Sequence, residues 1–514
     1  MLHSRPVTRR GAVELIVVLV VLLCFAVSVP AYWPYVNDDA FISFRYATNL
    51  LAGGGLVFNP GEYVEGYTNF AWVLLSAGLL WVGEPENILT LAKSVGVAFA
   101  VGTILLTYLN ARRSSDHWLV RAFPPLLLAL NPGFAANAVS GLETALFGFL
   151  LALALFVRLG PLPRDVAFGV TMALATLTRP EGAFVFAVLV LFQWVEGIAW
   201  QRIGRVVGGF SAFVGPYLAW KWTYYGSLLP NTYYAKPGTP WNGLGYALRF
   251  TVEGGYTQFL GLPLLALAAG VLVTLHRGRP TLAFGVALGS AAVLTGGDWM
   301  IGWRFWVPVL PIAFLIMVEP FDRVPAFGWD RRWALTAMII PCMLIAWALA
   351  GPRQALAGQC RDRGDGQREA HLVIARWIGN HARPGGSVAL SDVGMVGYYT
   401  GIRTVDISGL TDAFIGHSPG RMLTKVYDPA YVFSRHPDFI VLVGNRAPEV
   451  PKDNGGWIFD LDSLWFQDRR LASHPDFVNQ YRYEFSRYAS FEGYLHLFRR
   501  AGGAEPILSP IMVR

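Results

Sequence analysis

Long runs without a charged residue recur along this chain as far as Ala350 and then stop. In hydrocarbon every backbone N–H and C=O must be bonded within its own segment, so such runs are membrane helices. We place spans near 12–34, 88–109, 118–133, 142–158, 165–178, 182–197, 205–222, 258–275, 281–296, 304–319 and 332–351. Several have apolar cores below the ~20 residues that cross a bilayer. Those helices must tilt, run into polar flanks or line a cavity. Charged residues make up 15% of the chain, against about 25% in soluble domains. The net charge of +7 then belongs to loops beside anionic lipid rather than to a nucleic-acid surface.

Arg5, Arg9 and Arg10 precede an uncharged run over 15–33. Val29-Pro30-Ala31 weakly resembles a signal cleavage site, but the run is long for a signal core and adequate for a span. We read an uncleaved first helix with its N-terminus inside. The apolar segment 70–82 is read as a helix on the outer surface. Inner loops then hold fourteen arginines, including Arg112, Arg113, Arg202 and Arg205. Outer loops hold six basic residues, namely Arg45, Arg179, Lys221, Lys236, Arg249 and Arg304. That asymmetry follows the positive-inside rule, and about eleven spans put the C-terminus outside. Cys24, Cys342 and Cys360 form no disulfide framework or metal spacing.

Acids collect in the outer loops, among them Asp38, Asp39, Glu62, Glu65, Glu143, Glu181 and Asp298. Charge so close to hydrocarbon is paired, solvated in a cavity or functional. Asp38 and Asp39 follow Asn37, a good N-cap, and open a helix predicted to reach about Leu51 before Gly53-Gly54-Gly55. Adjacent helical residues point about 100° apart, so the two carboxylates have different duties. Asp38, Ile42, Arg45 and Asn49 share one face. Acids at a helix start also stabilise its dipole, so capping competes with catalysis as the explanation.

A carboxylate here can serve as general base on a sugar hydroxyl or bind a divalent cation such as Mg or Mn. A leaving phosphate needs Arg, Lys or metal, and Arg45, Arg179, Lys236 and Arg304 are the candidates. Further polar patches are Glu65-Gly66-Tyr67-Thr68-Asn69, Ser140–Thr144 around Glu143, Thr178–Gly182 with Arg179 and Glu181, Asn231–Lys236 with Tyr233, and Gly297-Asp298-Trp299 before Arg304. Each has a structural alternative: an Arg–Glu pair can simply hold a turn, and interfacial tryptophans anchor helices.

After Gly351 the composition changes. Residues 361–368 are charged and glycine-containing, as in a linker. Residues 369–380 have helical periodicity, and 387–391, 404–407 and 438–443 are apolar strands. Residues 481–486 and 494–499 alternate like a hairpin. We therefore divide the chain into a transmembrane domain, 1–351, whose outer loop 35–87 carries surface helices, and a C-terminal α/β domain, 352–514.

The run Asn37–Tyr46, with Gly55–Glu62 and Val64–Asn69, resembles membrane glycosyltransferases of the GT-C class. More closely, it is similar to the family of the mycobacterial terminal β-(1→2)-arabinofuranosyltransferase and its bacterial relatives. The patches at Glu143, Thr178–Gly182, Gly297-Asp298-Trp299 and Gly409-Leu410-Thr411-Asp412 extend the likeness over most of the chain. The resemblance implies a GT-C-like polytopic helical membrane protein with a periplasmic C-terminal domain. It implies a polyprenyl-phosphate-linked sugar donor, a periplasmic glycan acceptor and no nucleic acid. It points to Asp38 and Asp39 as the catalytic pair; shared placement with Arg45 favours Asp38. A lipid or glycan transporter is the competing expectation. Its ionisable residues would sit near the membrane midplane.

Overall fold

The computed structural model describes residues 9–114, 118–160, 164–236, 239–252, 279–318, 350–449, 458–490, 493–501 and 511–513. The expected span 258–275 and almost all of 332–351 lie outside the described residues. The chain divides into two compact units. The first comprises 1–33, 90–217 and 238–360, and the second 34–89, 218–237 and 361–514. The outer loop thus clusters with the C-terminal segment rather than with the spans that flank it.

The first unit is helical. Two described helices combine the length and hydropathy of a full span, Gly11–Ala31 and Pro85–Arg113. Arg121–Leu130, Thr144–Arg158, Asp165–Thr178, Glu181–Val195 and Pro280–Leu294 are shorter and apolar. The first helix exposes Leu15, Ile16, Leu19, Leu23 and Val27. A row of bare aliphatic side chains is tolerable where lipid covers it. Thr144–Arg158 packs on Asp165–Thr178, and Glu181–Val195 packs on Arg279–Leu294. Gly169 lies against the Val206 carbonyl and Gly209 against the Val166 carbonyl, so neither position has room for a Cβ. Small residues at a crossing let backbones approach where no hydrophobic effect drives association.

The second unit is built on a five-stranded sheet. Its strands are β1 (Ser387–Leu390), β2 (Arg403–Asp406), β3 (Phe439–Gly444), β5 (Tyr481–Tyr488) and β6 (Tyr494–Arg500). Short β4 (Ile458–Asp460) and β7 (Ile511–Val513) pair separately. The order is β2-β1-β3-β6-β5, parallel across the first three strands and antiparallel across the last three. The run Phe439-Ile440-Val441-Leu442-Val443 is apolar on both faces because β3 is central and fully buried. The predicted hairpin is β5–β6.

One expectation is corrected. Residues 361–368 are not a linker; the helix Ala350–Gly366 runs into a π-turn at Gln367–His371 and the helix Leu372–His381. Gly364 sits directly against the Pro34 carbonyl, so this charged stretch is held by packing that its composition does not advertise. The helix Phe70–Val82 buries Trp72, Val73, Ser76 and Ala77 and leaves Trp81 and Val82 bare. Its thirteen residues rise only ~20 Å. It packs on the helix Asp38–Leu51.

Asp468 gives this unit a pH signature. It is completely buried, and its Oδ1 accepts the Val443 amide at 2.9 Å. Burial pushes its carboxyl up to about 8, and the nearby Asp392 adds to the rise. The folded protein therefore holds a proton that the unfolded chain releases above its ordinary carboxylate range, near 4. The stability from this group is complete below about pH 4 and is lost as pH rises through about 8. Thermal melting of the full chain is expected to fall between pH 5 and 8. Asp468→Asn, which keeps the acceptor and cannot ionise, is expected to flatten that slope.

Candidate active site

Asn37 caps the Asp38–Leu51 helix as the sequence predicts, its Oδ1 accepting the Asp39 amide at 3.0 Å. The two aspartates then part company. Asp38 is 7% exposed, and both of its oxygens are occupied. Oδ2 accepts the Gly394 amide at 2.8 Å and Oδ1 the Met395 amide at 2.6 Å. Those amides open the helix Val393–Thr400, whose positive end favours a carboxylate. Gly394 lies so close to the Asp38 backbone carbonyl that no Cβ fits. Burial pushes the Asp38 carboxyl up to about 7, while His371 pulls it back.

Asp39, turned away by the helical step, keeps 22% of its side chain exposed. Its Oδ2 lies 3.6 Å from Lys236 Nζ, on a side chain 37% exposed. This carboxylate–ammonium pair is open to solvent.

The expectation that Arg45 reads a phosphate meets a different arrangement. Its guanidinium is buried and donates to the carbonyls of Phe58 (2.7 Å), Ile402 (2.7 Å) and Gly397, and to Asn59 Oδ1 (3.2 Å). It shares a helix face with Asp38, as predicted, but both side chains hold the protein together.

Glu65 is likewise engaged: Lys221 Nζ stands 2.6 Å from its Oε2, with both side chains at most 5% exposed. Lys221 belongs to the helix Trp200–Tyr225, and the sequence marks it only as an outer-loop charge. Nothing in the local sequence pairs it with a residue so far upstream. Tyr67 is buried, its hydroxyl 3.1 Å from that of Tyr225. Asn69 exchanges hydrogen bonds with Ser43 at 3.0 and 3.2 Å. Asn231 Nδ2 donates to the carbonyls of Gly409, Leu410 and Asp412. Tyr233, two residues on, is 61% exposed.

In the first unit, Arg179 bonds Glu143 at 3.0 Å and Glu181 at 2.7 Å and lies over the Phe305 ring. Arg304 Nε stands 2.8 Å from Asp298 Oδ2, and Asp298 Oδ1 accepts the Trp299 amide at 2.9 Å. Trp299 is 42% exposed. Five expected site residues thus form one charged group of three carboxylates and two guanidinium ions. A small pocket adjoins it, lined by Phe147, Arg179, Glu181, Leu288, Ala292 and Phe305. Of the four candidate phosphate binders, Lys236 is the one whose charge faces a single, loosely held partner.

Among the described residues no three His, Cys, Asp or Glu side chains gather as metal ligands. Each Asp38 oxygen accepts one backbone amide, and the Lys236 ammonium stands beside Asp39 Oδ2. The charge of Asp39 is met by Lys236, and no step is routed through a metal.

Known proteins share the fold. The chain is similar to the oligosaccharyltransferase of Archaeoglobus fulgidus in its apo form, with a TM-score of 0.56 and 14% identity, over 92% of this chain and 80% of that one. It is also similar to apo ArnT from Cupriavidus metallidurans, with a TM-score of 0.53 and 15% identity, over 83% and 92%. At such identities the likeness shows the fold alone, a helical fold shared with these two membrane enzymes.

Sequence brings the resemblance closer. The chain is 30% identical over 268 residues to the terminal beta-(1->2)-arabinofuranosyltransferase of Mycobacterium tuberculosis, covering 48% of this chain and 42% of that relative. It is 28% identical over 376 residues to the enzyme of the same name from Corynebacterium glutamicum, covering 62% and 53%. The chain spans about half the length of these curated relatives. A family model described as a domain of unknown function, DUF8728, matches residues 359–495.

Proposed function

We propose that this chain is a membrane glycosyltransferase that moves a sugar, arabinofuranose in the first instance, from a polyprenyl-phosphate donor to a cell-envelope glycan. The observation that carries the reading is the split between the adjacent aspartates. Asp38 is locked by two amides, and Asp39 is open beside Lys236. The curated relatives favour transfer over lipid transport.

In the transfer the bond from the anomeric carbon to phosphate oxygen breaks, and the phosphate leaves with the electron pair. Lys236 offsets the charge that accumulates there, as a point charge rather than a bidentate clamp. Asp39 stabilises positive charge developing on the sugar ring and receives the proton of the incoming hydroxyl. About eleven spans, an inside N-terminus and a second unit on the periplasmic face complete the reading.

The test uses the purified full chain in lipid nanodiscs with a polyprenyl-phosphoryl arabinofuranose and an arabinofuranosyl oligosaccharide. We expect a product one sugar longer and release of polyprenyl phosphate. Movement of intact donor across a bilayer without lengthening of the acceptor would instead establish a transporter.

A further inference from the structure

One feature of the second unit lies at the rim of the sheet core, which takes in Ile415 and against which Tyr431 packs. The five-residue helix Ala413–His417 carries Phe414 and His417 one turn apart. Phe414 is 53% exposed and stacks on Tyr431, with centroids 4.2 Å apart and planes at 25°. His417 stacks on Tyr234 at 4.0 Å and 27°. Tyr234 meets Tyr233 edge-on at 5.5 Å. Tyr233 and Tyr234 belong to the helix Asn231–Ala235, which packs on Ala413–His417 and is followed directly by Lys236 beside Asp39.

The helix Ala413–His417 thus carries two stacked pairs, His417 with Tyr234 and Phe414 with Tyr431, and Tyr233 extends the first toward the chain segment that ends in Lys236. The backbone that carries these rings is held by two side chains. Asn231 holds three carbonyls of 409–412, and Lys425 Nζ donates to the carbonyls of Tyr234, Gly416 and Ser418 at 2.7–2.9 Å. Polar groups border Tyr431. The Tyr431 hydroxyl bonds the Asp412 carboxylate at 3.0 Å and accepts from exposed Arg435 at 2.9 Å.

A protein seldom leaves rigid aromatic rings bare beside ionic hydrogen-bonding groups without a partner to cover them. A sugar ring fits this chemistry. Its C–H face covers an aromatic ring, and its hydroxyls take the neighbouring carboxylate and guanidinium. Opposed charges of Asp412 and Arg435 favour a neutral polyol over an anion. We propose that the rings of Tyr233, Tyr234, His417, Phe414 and Tyr431 form an extended subsite for a neutral glycan, holding acceptor sugars distant from the reacting hydroxyl. The proposal rests on the glycosyltransferase reading only for the word acceptor; glycan binding itself is independent of it.

The test is direct titration of the full chain in nanodiscs with an arabinofuranosyl hexasaccharide and a mannopyranosyl hexasaccharide. One of the two is expected to bind. Phe414→Ala and Tyr234→Ala should each weaken it about tenfold, the scale of one lost aromatic contact. Phe414→Trp should retain affinity, and hydrolysis of the lipid-linked donor by water should be the same in all variants. Unchanged affinity in both alanine variants, or binding of neither hexasaccharide by the parent chain, overturns the subsite. So does selective quenching by brominated lipid of the indole that Phe414→Trp introduces, which would make the ring a membrane anchor. If binding falls as expected while Asp39→Asn still transfers sugar, the subsite stands and the catalytic reading fails.

Discussion

Asp39→Asn is expected to cut sugar transfer by about a thousandfold, within the range a positioned acid or base contributes. Asparagine has nearly the same shape, so the helix and its Asn37 cap should persist, and the melting temperature should fall only slightly with loss of the dipole and Lys236 contacts, each worth about 1 kcal/mol or less. The change removes the negative charge facing the sugar and the acceptor for its proton. Asp38→Asn should give the opposite pattern. An amide can satisfy one of the Gly394 and Met395 N–H groups, but its own NH₂ confronts the other. A buried donor left unsatisfied costs about 1–3 kcal/mol, so this variant should melt lower. The measurement is initial rate per folded molecule, with folding followed by thermal melts of the same samples. Full transfer by Asp39→Asn, or an inactive Asp38→Asn of parental stability, would reverse the assignment.

Much of the local structure was legible before any coordinates. The cap at Asn37, the helix to Leu51 and the glycines that end it are signals written within a few residues. So are the apolar run of β3 and the alternating pattern of β5 and β6. The face shared by Asp38 and Arg45 was also correct. What that face touches was not legible. Both partners of Asp38, and the Gly397 and Ile402 carbonyls that Arg45 bonds, lie more than 350 positions away and are backbone amides and carbonyls. Backbone groups carry no residue identity, so no sequence signal marks them as partners. The same blindness hid Lys221 as the partner of Glu65 and made a linker of residues 361–368. Charge pattern says that a group needs a partner; only the packing of distant segments says which.

Arg45 shows how far that distinction reaches, because a phosphate-binding arginine and a structural one predict different losses. Its fork serves three separate carbonyls and the Asn59 side chain, and its plane lies 4.5 Å from the Phe58 ring. Burial alone draws its pKa down to about 10, so it stays charged at neutral pH. Arg45→Ala would leave several buried carbonyls unpaired and a void beside Phe58. Losses of about 1–3 kcal/mol for each buried polar group left bare set a cost of roughly 4 kcal/mol, allowing for partial collapse. For a unit of this size that corresponds to roughly 10 °C in melting temperature. Arg45→Lys should recover little, since one ammonium cannot span carbonyls that a planar fork reaches together. A surface arginine that only met donor phosphate would give the reverse: unchanged melting, a raised donor KM and partial rescue by lysine. Melting curves and donor titrations on the two variants separate these cases. A stable Arg45→Ala with weakened donor binding would return the residue to the substrate, and with it the first-loop face that Arg45 shares with Asp38.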